Sequence, residues 1–164
     1  MKKNLLNAIK LLSLAMILAF VMPVVAKAQK TDFSGSWALN ESKSTMPEGG
    51  GRMMMGGREF TVTQEANLLT RKSIGRDGTE RVSKYTLDGK ESINTMGDNQ
   101  IPSVATWSAD GKTLTIKTTM ERDGVKRTST EVWSMPDAKT LSIARTGTNR
   151  EGNEIKATMV YDKK

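Results

Sequence analysis

Carboxylates, guanidiniums, two phenols and a run of thioethers are the reactive side chains of this sequence, which has no histidine and no cysteine. The two absences exclude disulfides, thiol nucleophiles, Ser-His triads and the usual zinc sites. Candidates for acid/base work are Glu59, Glu65, Glu80, Glu91, Glu121, Glu131 and Glu154. Paired carboxylates can move protons, but the spacing here selects no pair. Glu121 and Glu131 flank an Asp123-Gly124 turn, where cross-strand pairing with lysine and arginine explains them equally well. The glycine clusters at 49–51 and 56–57 lack the lysine and the following helix of a phosphate-cradling loop. No residue is assigned a catalytic role, and no cofactor is expected.

Binding chemistry has better candidates. Met53, Met54 and Met55, with Met46, are soft thioethers that could take Cu(I). Adjacent methionines in an extended loop point to opposite sides, so no metal is assigned. The same polarizable side chains between glycines would instead make an adaptable lid over an apolar ligand. A loop with no specific role is the plain alternative. Among the cations, strand alternation places Arg145 on one face with Leu141 and Ile143. It likewise groups Arg81 with Tyr85 and Leu87, and Lys72 with Leu68 and Ile74. A cation on an apolar face needs a carboxylate or an anionic ligand. Arg81, Arg145 and Tyr161 are therefore expected to converge on a polar or anionic headgroup, with Tyr85 and Met159 in the same set. The alternative is that these side chains lie at open ends and reach water.

These residues must be positioned by strands. After residue 28 no window keeps a 3.6-residue apolar period, and 19 threonines favour a pleated, half-buried surface. Strands are predicted at 37–40, 59–64, 68–74, 80–87, 91–96, 104–108, 113–120, 126–133, 140–146 and 154–161. Asp88-Gly89, Asp110-Gly111, Asp123-Gly124 and similar pairs supply the turns. Short turns between consecutive strands imply an antiparallel up-and-down meander. Eight to ten strands would leave bare edges unless the sheet closes, which favours an all-β barrel. A weak repeat, Trp107 to Ile116 echoed by Trp133 to Ile143, marks a hairpin unit and carries no chemistry of its own. Trp37, Trp107 and Trp133 are expected in the core. Residues 42–57, with five glycines and Pro47, break the pattern and form a long loop.

The 164 residues carry a formal charge of +7. Residues 1–28 read as a secretory signal: Lys2 and Lys3, an apolar run, Pro23, then Ala26-Lys27-Ala28, with cleavage expected after Ala28. Without the four lysines of that segment, 21 basic and 18 acidic side chains leave about +3. That is too little for a phosphate-backbone binder, and no nucleic acid partner is expected. An uncleaved anchor is the alternative, but the apolar run is short for a span. With no lipid-anchor cysteine, a secreted or periplasmic single domain over 29–164 is expected.

Phe33-Ser34-Gly35-Ser36-Trp37-Ala38-Leu39 resembles the Phe-x-Gly-x-Trp-x-Leu opening of lipocalins and intracellular lipid-binding proteins, the calycin barrels. Ala157-Thr158-Met159-Val160-Tyr161-Asp162-Lys163 is similar to the last strand of the lipid-binding proteins, and Phe-Ser-Gly-x-Trp looks like the start of small secreted bacterial lipocalin-like domains. The motifs cover about 20 residues, while the rhythm covers most of the chain after the signal. The resemblance implies a calycin-type barrel in which Gly35 and Trp37 close one end, and an arginine of a late strand, here Arg145, crosses that tryptophan. The carboxylate-binding arginine of the lipid-binding proteins corresponds to Met159. Their helix pair would fall in the Gly/Met loop, which cannot form it, so a lipocalin is the nearer pattern. The expected function is non-catalytic binding of a small hydrophobic or amphipathic ligand. A filled barrel acting as an interaction or inhibitor module of the cell envelope is the second reading, and a Met-loop Cu(I) carrier the third. A cavity of about 300 Å³ or more would favour the first.

Overall fold

Threonine-rich alternating segments and Asp-Gly turns fold as ten antiparallel strands: β1 (Gly35–Leu39), β2 (Glu59–Gln64), β3 (Leu68–Ile74), β4 (Glu80–Thr86), β5 (Glu91–Met96), β6 (Asn99–Trp107), β7 (Thr113–Arg122), β8 (Val125–Asp137), β9 (Thr140–Thr148) and β10 (Glu154–Lys163). The structure, a computed structural model, describes residues 29–45, 57–75, 77–122, 124–148 and 152–164. The proposed signal segment 1–28, Met46 and the lid candidates Met53, Met54 and Met55 lie outside the described residues. Among the described residues, no helix is long and apolar enough to cross a membrane.

The sheet runs β4-β3-β2-β1-β10-β9-β8-β7-β6-β5. First and last strands are therefore neighbours, with Trp37 opposite Lys163 and Leu39 opposite Tyr161. The meander closes into a near-complete barrel, as its strand count requires. The remaining gap lies between β4 and β5, which follow each other through the Asp88-Gly89 turn without sharing a backbone ladder. Gly89 takes φ +81°, and the Asp88 carboxylate accepts from the Lys90 amide at 3.1 Å. Side chains bridge the gap. The Asn94 carboxamide accepts from the Lys84 amide at 2.7 Å and donates to the Lys84 carbonyl at 3.0 Å. Ser92 Oγ accepts from the Thr86 amide at 2.8 Å.

Several strands run longer than expected, β6 and β8 by the most. β6 begins at Asn99, ahead of Pro102, because the ladder to β7 starts only at Ser103. A proline there has a ladder partner on one side alone, Ile93 of β5, as on an edge strand, where proline is tolerated. β8 runs past Trp133 to Asp137, with an irregular register between Ser134 and Asp137 around Pro136. Glu121 and Glu131 do not face each other; each pairs with a cation across the ladder, Glu121 opposite Lys126 and Glu131 opposite Arg145, with Ile116 on its other side.

One end of the barrel is solid. Phe33, Trp37, Trp133, Leu69, Leu114, Leu141 and Ile143 are all fully buried there, with Trp107 packed against them. Phe33 stacks on Trp107 at a centroid separation of 5.7 Å and meets Trp133 edge-on at 5.8 Å, both favoured aromatic geometries. The chain ahead of β1 is tied across this end: the Phe33 amide donates to Gln64 Oε1, and Gln64 Nε2 donates to the Thr31 carbonyl. Gly35 has φ +148°, and a Cβ there would come within 2.7 Å of Lys163 Cε. Glycine thus lets Lys163 lie over Trp37, with its Nζ 5.5 Å from the ring centroid. Lys163 is thus a cation on this tryptophan.

Candidate functional site

Above the aromatic layer the inward positions turn polar. β8 places Glu131 two residues from Trp133, so both point inward. On β9, Arg145 follows Leu141 and Ile143 and lies directly opposite Glu131. On β3 the inward residues are Leu69 and Arg71, while Lys72 and Ile74 face water. That reverses the expected face of this strand. Two leucines at its start leave the phase open, and a one-residue slip exchanges the faces.

The three charges form a row. Glu131 Oε2 is 3.8 Å from Arg71 Nη1, and its Oε1 is 3.7 Å from Arg145 Nη1. Both guanidiniums are 8% exposed and the carboxylate 15%. Trp133 Nε1 donates to Glu131 Oε2 at 3.0 Å, which fixes the carboxylate on the floor below. The Arg71 guanidinium lies over that floor, 4.1 Å from the Phe60 centroid and 5.5 Å from that of Trp133. Burying a charged group is costly without partners, and here carboxylate, ring faces and an indole N–H share the work.

Two phenols border the row. Burial pushes the Tyr85 hydroxyl above its ordinary range, and the Glu131 charge adds to this while Arg71 opposes it. Burial also raises Tyr161, with Arg71 pulling the other way. Tyr161 packs edge-on to Phe60 at 4.8 Å, and its hydroxyl donates to Met159 Sδ at 3.6 Å. A phenol whose folded pKa is raised binds its proton longer than in the unfolded chain. Its contribution to stability is full below the unfolded value near pH 10 and declines as pH rises through the folded value. Because Tyr85 and Tyr161 are the only tyrosines, an ultraviolet titration reads them alone. We expect phenolate absorbance to develop above pH 10 in the native protein and to shift down to about 10 on unfolding. Ordinary native titration would contradict the burial of both rings.

Over this row opens a cavity of about 490 Å³. Arg71, Tyr85, Glu131 and Arg145 line its inner end. Ser73, Ser83, Ser103, Thr118 and Ser129 give it hydroxyl-bearing walls, and Val82, Met96, Ile101 and Met120 supply apolar contact towards the outside. Of the expected set, Tyr85 and Arg145 line the cavity, and Tyr161 and Met159 are buried close by in the core. Arg81 does not join Arg145 at the inner end. It belongs to the cavity's outer part, its side chain 52% exposed and 3.8 Å from Asp77 Oδ2. Sequence reasoning misses Arg71 and considers Glu131 only for acid/base work, not as part of a binding site. A signal for Glu131 exists, since a core Trp133 in an alternating strand carries residue 131 inward with it. Among the described residues no cluster of three or more Asp or Glu is arranged to hold a metal ion.

No protein-family model and no curated protein sequence matches the chain. Solved structures do match its fold. A secretary abundant heat soluble protein from Ramazzottius varieornatus superposes with a TM-score of 0.58 at 10% identity, covering 85% of this chain and all of that one. Zebrafish ileal bile acid-binding protein complexed with cholic acid gives 0.56 at 14% identity, covering 80% of this chain and 98% of that one. A point mutant of the fluorescent protein UnaG gives 0.54 at 19% identity, covering 80% of this chain and 96% of that one. The fold is thus of the calycin type, shared at identities that speak for architecture alone.

Proposed function

We propose that this chain is an exported, non-catalytic binding protein for a small amphipathic organic anion. The observation that carries the reading is the inner end of the cavity, where two buried guanidiniums face one carboxylate. An acid group of the ligand would sit on Arg71 and Arg145, and its less polar body would extend past the hydroxyl walls to Ile101, Met96 and Met120. The volume falls in the range of ligand-binding clefts, and a few fixed polar groups at one end of a cavity are the usual means of orienting a ligand. The zebrafish bile acid-binding protein, a barrel of the same fold, was solved with an amphipathic acid bound. Export rests on the signal-like segment at 1–28.

Cholate is a suitable first probe, being an acid with a hydroxylated body. Trp133 contacts Glu131 and should report occupancy through its fluorescence. We expect saturable quenching or enhancement on cholate titration, and a retained small molecule in native mass spectra of protein purified from its own host. Silence in both measurements would sink the reading. The solid half of the barrel favours a second one, an interaction module presenting its loops to an envelope partner. That reading expects the same silence together with a retained protein.

A further inference from the structure

The charges around the cavity do not balance evenly from end to end. At the outer end Asp77 is 3.8 Å from Arg81, and Glu80 is 3.6 Å from Lys72, so each carboxylate there has its own cation. At the inner end one carboxylate serves two guanidiniums, leaving a formal charge of +1 among the described residues. Neutral phenols add nothing near pH 7. We propose that Glu131 is a specificity-determining residue that limits the site to ligands bearing a single negative charge. The inference rests on reading the cavity as an anion site and names the class of anion it takes.

The physical reason is the position of the carboxylate. A monoanion entering over Arg71 and Arg145 brings the inner row to zero, which is the cheapest state for a buried group of charges. A dianion overshoots to a net negative charge and places its second negative group near Glu131, without a further cation among the described residues at that end. In surroundings less polar than water, such like-charge contact is costly, and interfaces use it to reject wrong partners. Glu131 is held in place by the Trp133 indole, so it cannot swing away without losing that bond. Without Glu131 the same two guanidiniums would suit a dianion.

Naphthalene monosulfonate and naphthalene disulfonate test this, since they share one body and differ by one charge. By calorimetric titration, wild-type protein should bind the monosulfonate about tenfold or more tightly than the disulfonate. Glu131→Gln keeps the size of the side chain and an oxygen for the Trp133 indole, and it raises the row to +2. In that variant the preference should fall by about tenfold or invert. Because the substitution is isosteric, exclusion of the disulfonate by size alone would leave the ratio as it was, and that result overturns the proposal. Binding of neither probe by wild type removes the anion site itself and this inference with it. Near-ultraviolet circular dichroism checks the fold of the variant. If Glu131→Gln does not fold, Glu131→Asp keeps the charge with a shorter reach. A ratio that stays within about threefold of wild type there supports charge as the determinant, and a larger change overturns it.

Discussion

Truncating Trp37 to alanine is expected to remove about 3–5 kcal/mol of stability, the range for deleting a large buried aromatic ring. The side chain is fully buried, sits opposite Phe60 on β2 and Lys163 on β10, and donates from Nε1 to the Phe33 carbonyl at 3.0 Å. It therefore links the chain ahead of β1, the β1–β10 closure and the solid end of the barrel. Removing it empties the position on which these three meet, and the surrounding strands cannot collapse inward without breaking register. Phenylalanine would keep most of the volume and lose the indole donor, at a cost of about 1–2 kcal/mol for the unmet carbonyl. Urea unfolding followed by circular dichroism measures both. An alanine variant within about 1 kcal/mol of wild type would show that Trp37 does not hold the barrel end.

The second large effect is on binding. Arg145→Met should weaken cholate by about 10- to 100-fold, the consequence of losing one charge-assisted contact of about 1.5–3 kcal/mol. Methionine fills a similar apolar length, and the Arg71–Glu131 pair remains as a neutral partner set. The loss of affinity should therefore come without the collapse expected of Trp37→Ala. Arg81→Met serves as the comparison. Its guanidinium is half in water and opposes Asp77, so its removal should change affinity by less than about threefold, as for a screened rim charge. Equal losses at Arg81 and Arg145 would place the anion at the outer end instead.

Much of this fold is legible in residue order, and the reason is local. Asp-Gly turns at 88–89, 110–111 and 123–124 fix where strands reverse, and alternation between them fixes what faces in. Arg145 is legible because Leu141 and Ile143 stand four and two places before it on an unambiguous strand. Arg71 is not. Leu68 and Leu69 are both apolar, and Ile74 at the far end of β3 suggests the wrong phase. Ile74 is 64% exposed, an apolar residue on the outer face where the pattern places it inside. Arg81 misleads for a different reason: it does alternate with Tyr85, but it lies four residues earlier, at the start of β4, where the barrel is open to water. Glu131 is hidden by its type. A carboxylate between Thr130 and Val132 reads as surface until the tryptophan two places on is given priority. Pro102 similarly hides the first half of β6, because the cost of a missing N–H depends on how many strands flank it, which sequence does not state.

The gap between β4 and β5 has a consequence for the size of this container. Backbone ladders have a fixed spacing, so a barrel paired all the way round has a circumference set by strand number and stagger. Here one interval is spanned by Ser92 and Asn94 side chains, and residues on both of its banks line the cavity. The bore is therefore adjustable at that interval alone. Exchanging these two residues for shorter or longer ones would narrow or widen the vessel while every strand keeps its register, so related chains could be fitted to ligands of different girth without altering the fold.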